Sequence, residues 1–357
     1  MTAERGSFTF TEISSQPEIW RDAIAAFQQQ ADALQTLWAK GGFDSVLFTG
    51  CGSTYYLAHA GAALFQQLTG INARAYPASE IVLFPDLVFP RNNRPLLITV
   101  SRSGETTETV EAVRIFRKHS SNAVIAVTCG SRTTLATQAD LSFAIDSAQE
   151  TSLAQTRSFA SMLIVIQAMA AFIAKRSDLD TLNLLPPIAS RLLTDYHALA
   201  QQLGEDKQIE RFFFLGSGAH FGIACEGMLK MKEMSLSYSE AFRTLEFRHG
   251  PMSMVDEHAL IIGLISEQAH AQEASVLRQM KQRGAQILAI SADDYGLDLA
   301  SWSNFVNLGS TVPNWARPVL YLPVMQLMAY YRAMSNGQNP DQPANLTFVI
   351  SLDESMT

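Results

Sequence analysis

Three cysteines in 357 residues, Cys51, Cys129 and Cys225, are too few and too scattered for a disulfide framework or a CxxC metal site. That scarcity points to a reducing compartment, and a cytoplasmic location is expected. No apolar run reaches the roughly 20 residues that a membrane-spanning helix needs. The most apolar stretch, 162–174, is short and interrupted by Gln167. The first residues carry neither the basic region nor the apolar core of a secretory signal. Positive charge is also scarce, with 26 Lys and Arg against 34 Asp and Glu and a formal net charge of −8. A basic nucleic-acid surface is therefore not expected. A small anion is still compatible, because net charge governs steering more than a buried site. The histidines show no ligand spacing, and no residue pattern requires a metal or an organic cofactor.

What is present is globular composition, 47% hydrophobic and 17% charged, at a length that predicts two domains. Helical spacing runs over 16–40, with Ile19, Ala23, Phe27, Leu34 and Leu37 on one side. A short apolar run at 45–49 is closed by Gly50-Cys51-Gly52, and helical spacing resumes over 55–68. The same grammar follows at 95–100, a strand that leads into Ser101-Arg102-Ser103-Gly104-Glu105-Thr106 and a helix to about residue 118. Further strands are expected at 123–128 and near 141–145. Strands alternating with helices predict an α/β fold, a parallel sheet flanked by helices.

The second half repeats the first. The run 211–215 followed by Gly216-Ser217-Gly218 matches 45–49 followed by Gly50-Cys51-Gly52. Strands expected at 259–265 and 286–290 match those at 95–100 and 123–128. This is an internal duplication. The expected organisation is an N-terminal helical segment 1–40, a first subdomain 41–176, and a linker 177–194 marked by Pro186-Pro187. A second subdomain 195–335 and a structured tail 336–357 follow.

Loop 101–106 sets three hydroxyls, a guanidinium and a glycine where a strand gives way to a helix, where free backbone N–H groups attract anions. A phosphate fits there; an ordinary helix cap would need only one hydroxyl. Arg102 can pair with a phosphate in bidentate fashion or point to solvent. The GxG at 50–52 lacks the third glycine of a dinucleotide site, since Tyr55 stands there, which weakens a dehydrogenase reading. Cys51 could be a nucleophile, but without a neighbouring His a packing role is favoured.

On the helix expected over 220–237, Glu226, Lys230 and Glu233 fall within about 60° of one another. Ile223, Ala224, Cys225, Met228, Leu229, Met231 and Met234 cover most of the rest, and only Lys232 breaks them. A helix apolar nearly all round is buried, so its three charges are expected to line a pocket. The alternative is a surface pair between Glu226 and Lys230. A carboxylate in such a pocket can serve as a general base. His249, in the turn Arg248-His249-Gly250-Pro251, is a second acid–base candidate or a structural residue.

Together these stretches resemble the sugar isomerase (SIS) family. CGSTYY at 51–56, SRSGETTETV at 101–110, EGMLKMKEMS at 226–235, EFRHGPMSMVD at 246–256 and DQPANL at 341–346 keep the order of the isomerase domain of glucosamine-6-phosphate synthase. The resemblance implies two tandem flavodoxin-like SIS subdomains, a sugar 6-phosphate bound between them, and a homodimer with a shared active site. It implies that Thr54, Ser101, Arg102, Ser103 and Thr106 hold the phosphate, and that Cys51, Gly52, Ser53 and Gln155 lie near the sugar. It further implies that Glu233 moves a proton between C1 and C2, Lys230 supports it, and His249 opens the ring across the dimer interface.

Several positions depart from that family's synthase. Arg102 stands for glutamine and Gln155 for a serine. Only about 40 residues precede the first strand, and Thr2 stands where a glutaminase domain would carry its cysteine. Phe348, in DQPANLTF, replaces the lysine that forms a Schiff base with fructose 6-phosphate. Without an ammonia source or that lysine, the reaction expected is isomerisation coupled to loss of amine, as in stand-alone SIS-type glucosamine-6-phosphate deaminases. Close alternatives are a galactosamine-6-phosphate deaminase, a fructosamine-6-phosphate deglycase, a simple aldose–ketose isomerase and a protein like the synthase's isomerase domain. A non-catalytic sugar-phosphate sensor is the alternative of another class, but it would need neither Glu233 nor His249.

Overall fold

The computed structural model describes residues 4–89, 93–296, 302–309, 311–344 and 346. Helix α1 (Ser7–Ser14) opens the chain and α2 (Gln16–Gly41) follows. The chain then forms two compact units.

The first unit comprises residues 18–150 and 157–183. Its elements alternate: β1 (Ser45–Gly50), α3 (Ser53–Thr69), β2 (Asn72–Pro77), the short α4 (Ala78–Leu83) and α5 (Pro85–Val88), β3 (Pro95–Ser101), α6 (Thr107–His119), β4 (Val124–Thr128), α7 (Thr134–Gln138) and β5 (Leu141–Ala144). The strands pair in parallel in the order β2-β1-β3-β4-β5. Every residue of β1, β3 and β4 is buried, because a parallel strand covered on both faces reads as a continuous apolar run. Edge strand β2 (NARAYP) is half exposed and mixes polar with apolar residues, so neither period marks it. Helix α8 (Arg157–Ile173) is buried on nearly every side. It packs on α3 where Gly61 allows close approach: a Cβ there would stand 2.8 Å from Ile166 Cγ2.

The second unit comprises residues 4–17, 151–156 and the described part of 184–346. It contains α9 (Leu185–Asp195), α10 (His197–Glu205), β6 (Arg211–Gly216), α11 (His220–Ser235), β7 (Tyr238–Phe242), β8 (Ala259–Leu264), α12 (His270–Gln282), β9 (Gln286–Ser291), β10 (Asn304–Asn307) and α13 (Leu322–Ser335). Its sheet is also parallel, in the order β10-β9-β8-β6-β7. Counted from the first strand of each half, both sheets have the order 2-1-3-4-5, the flavodoxin-like arrangement.

The duplication extends to backbone detail. Gly52 and Gly218 both have φ +56°, a left-handed conformation suited to glycine. At Gly50 a Cβ would stand 2.6 Å from Thr54 Oγ1, and at Gly216 it would stand 2.4 Å from the His220 carbonyl oxygen. Each GxG turn therefore folds the new helix directly back onto the strand end.

Two local expectations change. The stretch 177–194 is largely helical, with a 3₁₀ turn at Leu179–Leu184 and then α9. Pro186 and Pro187 sit in the first turn of α9, where no intrahelical N–H is required, so the pair starts a helix. Helix α11 ends at Ser235, two residues before 237. Leu236 turns left-handed at φ +56° and donates to the Lys232 carbonyl, while Asn336 Nδ2 donates to the Ser235 carbonyl at 2.9 Å.

Candidate functional site

In the first unit, loop 101–106 leaves the end of β3 beside β1, the switch point of the sheet where ligands of open α/β folds bind. Ser101 Oγ lies 3.3 Å from Thr106 Oγ1, and Ser103 Oγ lies 3.5 Å from the same atom, so the three hydroxyls converge. Ser101 Oγ and Ser103 Oγ also accept the N–H groups of Gly104 and Glu105, at 3.1 and 3.2 Å. Gly104 has φ +65°, and a Cβ there would collide with Thr133. The loop is thus a tight nest of donors at the mouth of α6.

Arg102 does not point to solvent. Its side chain is 5% exposed and its Nη1 lies 3.7 Å from Glu150 Oε2, itself fully buried. Ser158 Oγ donates to the same Glu150 oxygen. The guanidinium is therefore compensated inside the unit. No spacing signal could have revealed Glu150 from the sequence, because the two residues meet only through the sheet.

Of the neighbouring turn, Thr54 is 3% exposed, and its hydroxyl accepts from the Cys51 N–H and donates to the Cys51 carbonyl, both at 2.9 Å. Ser53 is also buried. Around Gly52 no atom lies within 4 Å of where a Cβ would be, so the crest is open at that point. Burial pushes the Cys51 thiol up to about 11, against a smaller opposing effect of its contact with Thr109. A thiol so protonated is a poor nucleophile, which favours the packing role.

The second unit holds the charged cluster. Lys230 Nζ lies 2.5 Å from Glu233 Oε2 and 3.3 Å from Glu226 Oε1. Glu226 and Lys230 are buried, while the Glu233 side chain keeps 20% of its exposure. The alternative of a surface pair is therefore overturned: α11 is packed around its charges, and only Lys232 among its cations faces solvent. Burial pulls the Lys230 ammonium down, but Glu226 and Glu233 outweigh it and hold its pKa above the ordinary lysine value. Glu233 alone among the three offers an accessible edge to a ligand.

His249 ends the 3₁₀ turn Glu246–Arg248 and is exposed on its loop. Gln155 lies in the irregular segment 151–156, which belongs to the second unit; its Oε1 is buried and accepts no hydrogen bond from the described residues. Phe348 lies outside the described residues, as does Thr2. Among the described residues no group of three or more His, Cys, Asp or Glu is placed to hold a metal ion, and no helix is long and apolar enough to cross a membrane.

Known proteins share this fold. The SIS domain model matches residues 43–172 and 207–296. An isomerizing glutamine–fructose-6-phosphate aminotransferase of Methanothermobacter thermautotrophicus is 27% identical over 98% of this chain, and one of Pyrococcus horikoshii is 29% identical over 98%. The chain spans about three-fifths of the length of these relatives, 59% in both cases. Among solved structures, the glucosamine-6-phosphate deaminase of Thermotoga maritima is 27% identical, with a TM-score of 0.79 over 97% of this chain and 100% of that one.

Proposed function

Because the chain belongs to the SIS domain family, we propose that it is a phosphosugar isomerase that converts glucosamine 6-phosphate and water to fructose 6-phosphate and ammonia. It is an enzyme, and the observation that carries this is the buried Glu226–Lys230–Glu233 cluster, a costly arrangement that a sensor of phosphate would not need. The substrate phosphate is held by Ser101, Ser103, Thr106 and the loop N–H groups, with Arg102 and Thr54 fixing the loop and the adjoining turn. Its binding energy aligns the sugar carbons for proton transfer.

His249, supplied by a second copy of this chain, opens the ring. The aldehyde then carries its carbonyl at C1 and its amine at C2. Glu233 takes the C2 proton and returns it to C1, and Lys230 steadies the carboxylate through this exchange. The enolamine becomes an imine at C2; water adds there, and ammonia leaves as the ketone forms. Gln155, Cys51, Gly52 and Ser53 shape the sugar end.

Phe348 supports deamination over synthesis, since that position holds an imine-forming lysine in the synthase that the chain resembles. The aminotransferase relatives support a second reading, an isomerase half of the synthase type. Ammonia release from glucosamine 6-phosphate, run beside galactosamine 6-phosphate and a fructosamine 6-phosphate, tests the proposal. Release from glucosamine 6-phosphate is expected. Interconversion of aldose and ketose phosphates with no ammonia from any of the three would overturn the deaminase assignment, and no turnover of any kind would overturn the isomerase one.

A further inference from the structure

Segment 151–156 has no regular secondary structure, so its backbone groups need partners from elsewhere. It finds them within the second unit. The Glu12 carboxylate, on α1, accepts the Thr151 N–H at 2.5 Å and the Ser152 N–H at 3.3 Å, and its other oxygen accepts the Ser152 hydroxyl. The Asp341 carbonyl accepts the Leu153 N–H at 3.0 Å. Gln326, on α13, donates to the Thr156 carbonyl at 3.2 Å.

A second set of bonds ties these holders together. Thr9 N and Thr9 Oγ1 both donate to Asp341 Oδ1 at 2.8 Å, and Thr9 Oγ1 lies 3.1 Å from Ser152 Oγ. Thr9, Glu12, Ser152, Gln326 and Asp341 are all buried. Burying two carboxylates is costly unless each is hydrogen-bonded, and apolar side chains would anchor a helix with less penalty. What a buried network of several hydrogen bonds adds is one fixed geometry for the loop it grips. That loop carries Gln155, whose buried Oε1 has no donor among the described residues.

The geometry points to Glu12 and Asp341 as positioning residues: α1 and the chain at Asp341 clasp loop 151–156 so that Gln155 presents its carbonyl to a hydroxyl or amine of the sugar. This rests on the phosphosugar reading above. The phosphate loop belongs to the other unit. The clasp therefore governs the sugar end and leaves phosphate affinity alone.

The test uses the full chain with Glu12→Gln and Asp341→Asn, and Thr9→Val as a milder variant should either fail to fold. The KM for the sugar phosphate should rise about tenfold to a hundredfold, as for a displaced binding group. The inhibition constant of inorganic phosphate should stay within twofold of the parent. Hydrogen exchange at the amides of Thr151, Ser152 and Leu153 should quicken. An unchanged KM with unchanged exchange would overturn the inference, as would phosphate inhibition that weakens in step with KM, the mark of general loosening. If the parent protein turns over no phosphosugar, the functional reading falls, and the exchange rates alone decide whether the clasp exists.

Discussion

Lys230 Nζ stands 2.5 Å from Glu233 Oε2, one turn further along the same helix, with the lysine buried and the glutamate at the edge of solvent. The pair sets a general base on a rigid element and leaves its outer edge for substrate. Replacing Glu233 with Gln keeps the shape but removes the base. Turnover should drop by about 10² to 10⁴, while inhibition of any residual activity or direct binding shows phosphate affinity retained. Full turnover in the variant would remove Glu233 from the mechanism.

Lys230 is the charge that makes Glu226 tolerable. Lys230→Met would leave a buried carboxylate without its cation, and breaking such a pair costs about 3–5 kcal/mol. Urea unfolding should show a loss of that order. A loss below about 1 kcal/mol, the range of exposed pairs, would mean that α11 is not packed as described.

His220 supplies an acid-side prediction. It begins α11, is buried against Tyr321 with ring centroids 4.5 Å apart, and burial, aided by Arg317, lowers its pKa from the ordinary 6.5 to about 4. The unfolded chain therefore binds a proton that the folded one refuses between these values. Stability from this residue is complete above pH 6.5, falls as the pH drops toward 4, and is level below that. The total is on the order of 3 kcal/mol. His220→Phe should flatten the stability profile across that window; an identical slope in both proteins would refute the assignment.

The compensated charge of Arg102 makes a counterintuitive prediction for the phosphate loop. Ser103→Ala removes one of the three converging hydroxyls, and should weaken inorganic phosphate inhibition by about tenfold or more. Arg102→Gln should weaken it less, since Glu150 already engages the guanidinium. Glu150→Ala should instead destabilise the fold, by about 3–5 kcal/mol. Phosphate competition and urea melts on the three variants decide this; a larger phosphate effect from Arg102 than from Ser103 would mean that Arg102 leaves Glu150 for the ligand.

Burial also raises Cys225 to about 12 and Cys129 further still, so none of the three thiols is primed for attack. Alkylation by iodoacetamide at neutral pH should be slow, and Cys51→Ser should keep turnover within a few-fold. Rapid alkylation of Cys51 with loss of activity would restore the nucleophile reading.

The sequence by itself determined the α/β class, the duplication and the places where chemistry collects. Those features are local or periodic: the buried runs of β1, β3 and β4, the two GxG turns, the hydroxyl loop at 101–106, and the apolar surround of Glu226, Lys230 and Glu233. Edge strands β2 and β10 and helix α13 escaped it, because edge strands carry mixed residues and a helix buried over most of its surface has no clear polar face to reveal its period. Tertiary structure alone decided which distant residues meet. Arg102 finds Glu150, and Glu12 finds Thr151 and Ser152, across 48 and about 140 positions that hold no periodic signal. The desolvation that makes such buried pairs costly, and the hydrogen bonds that offset it, exist only once the chain has folded around them.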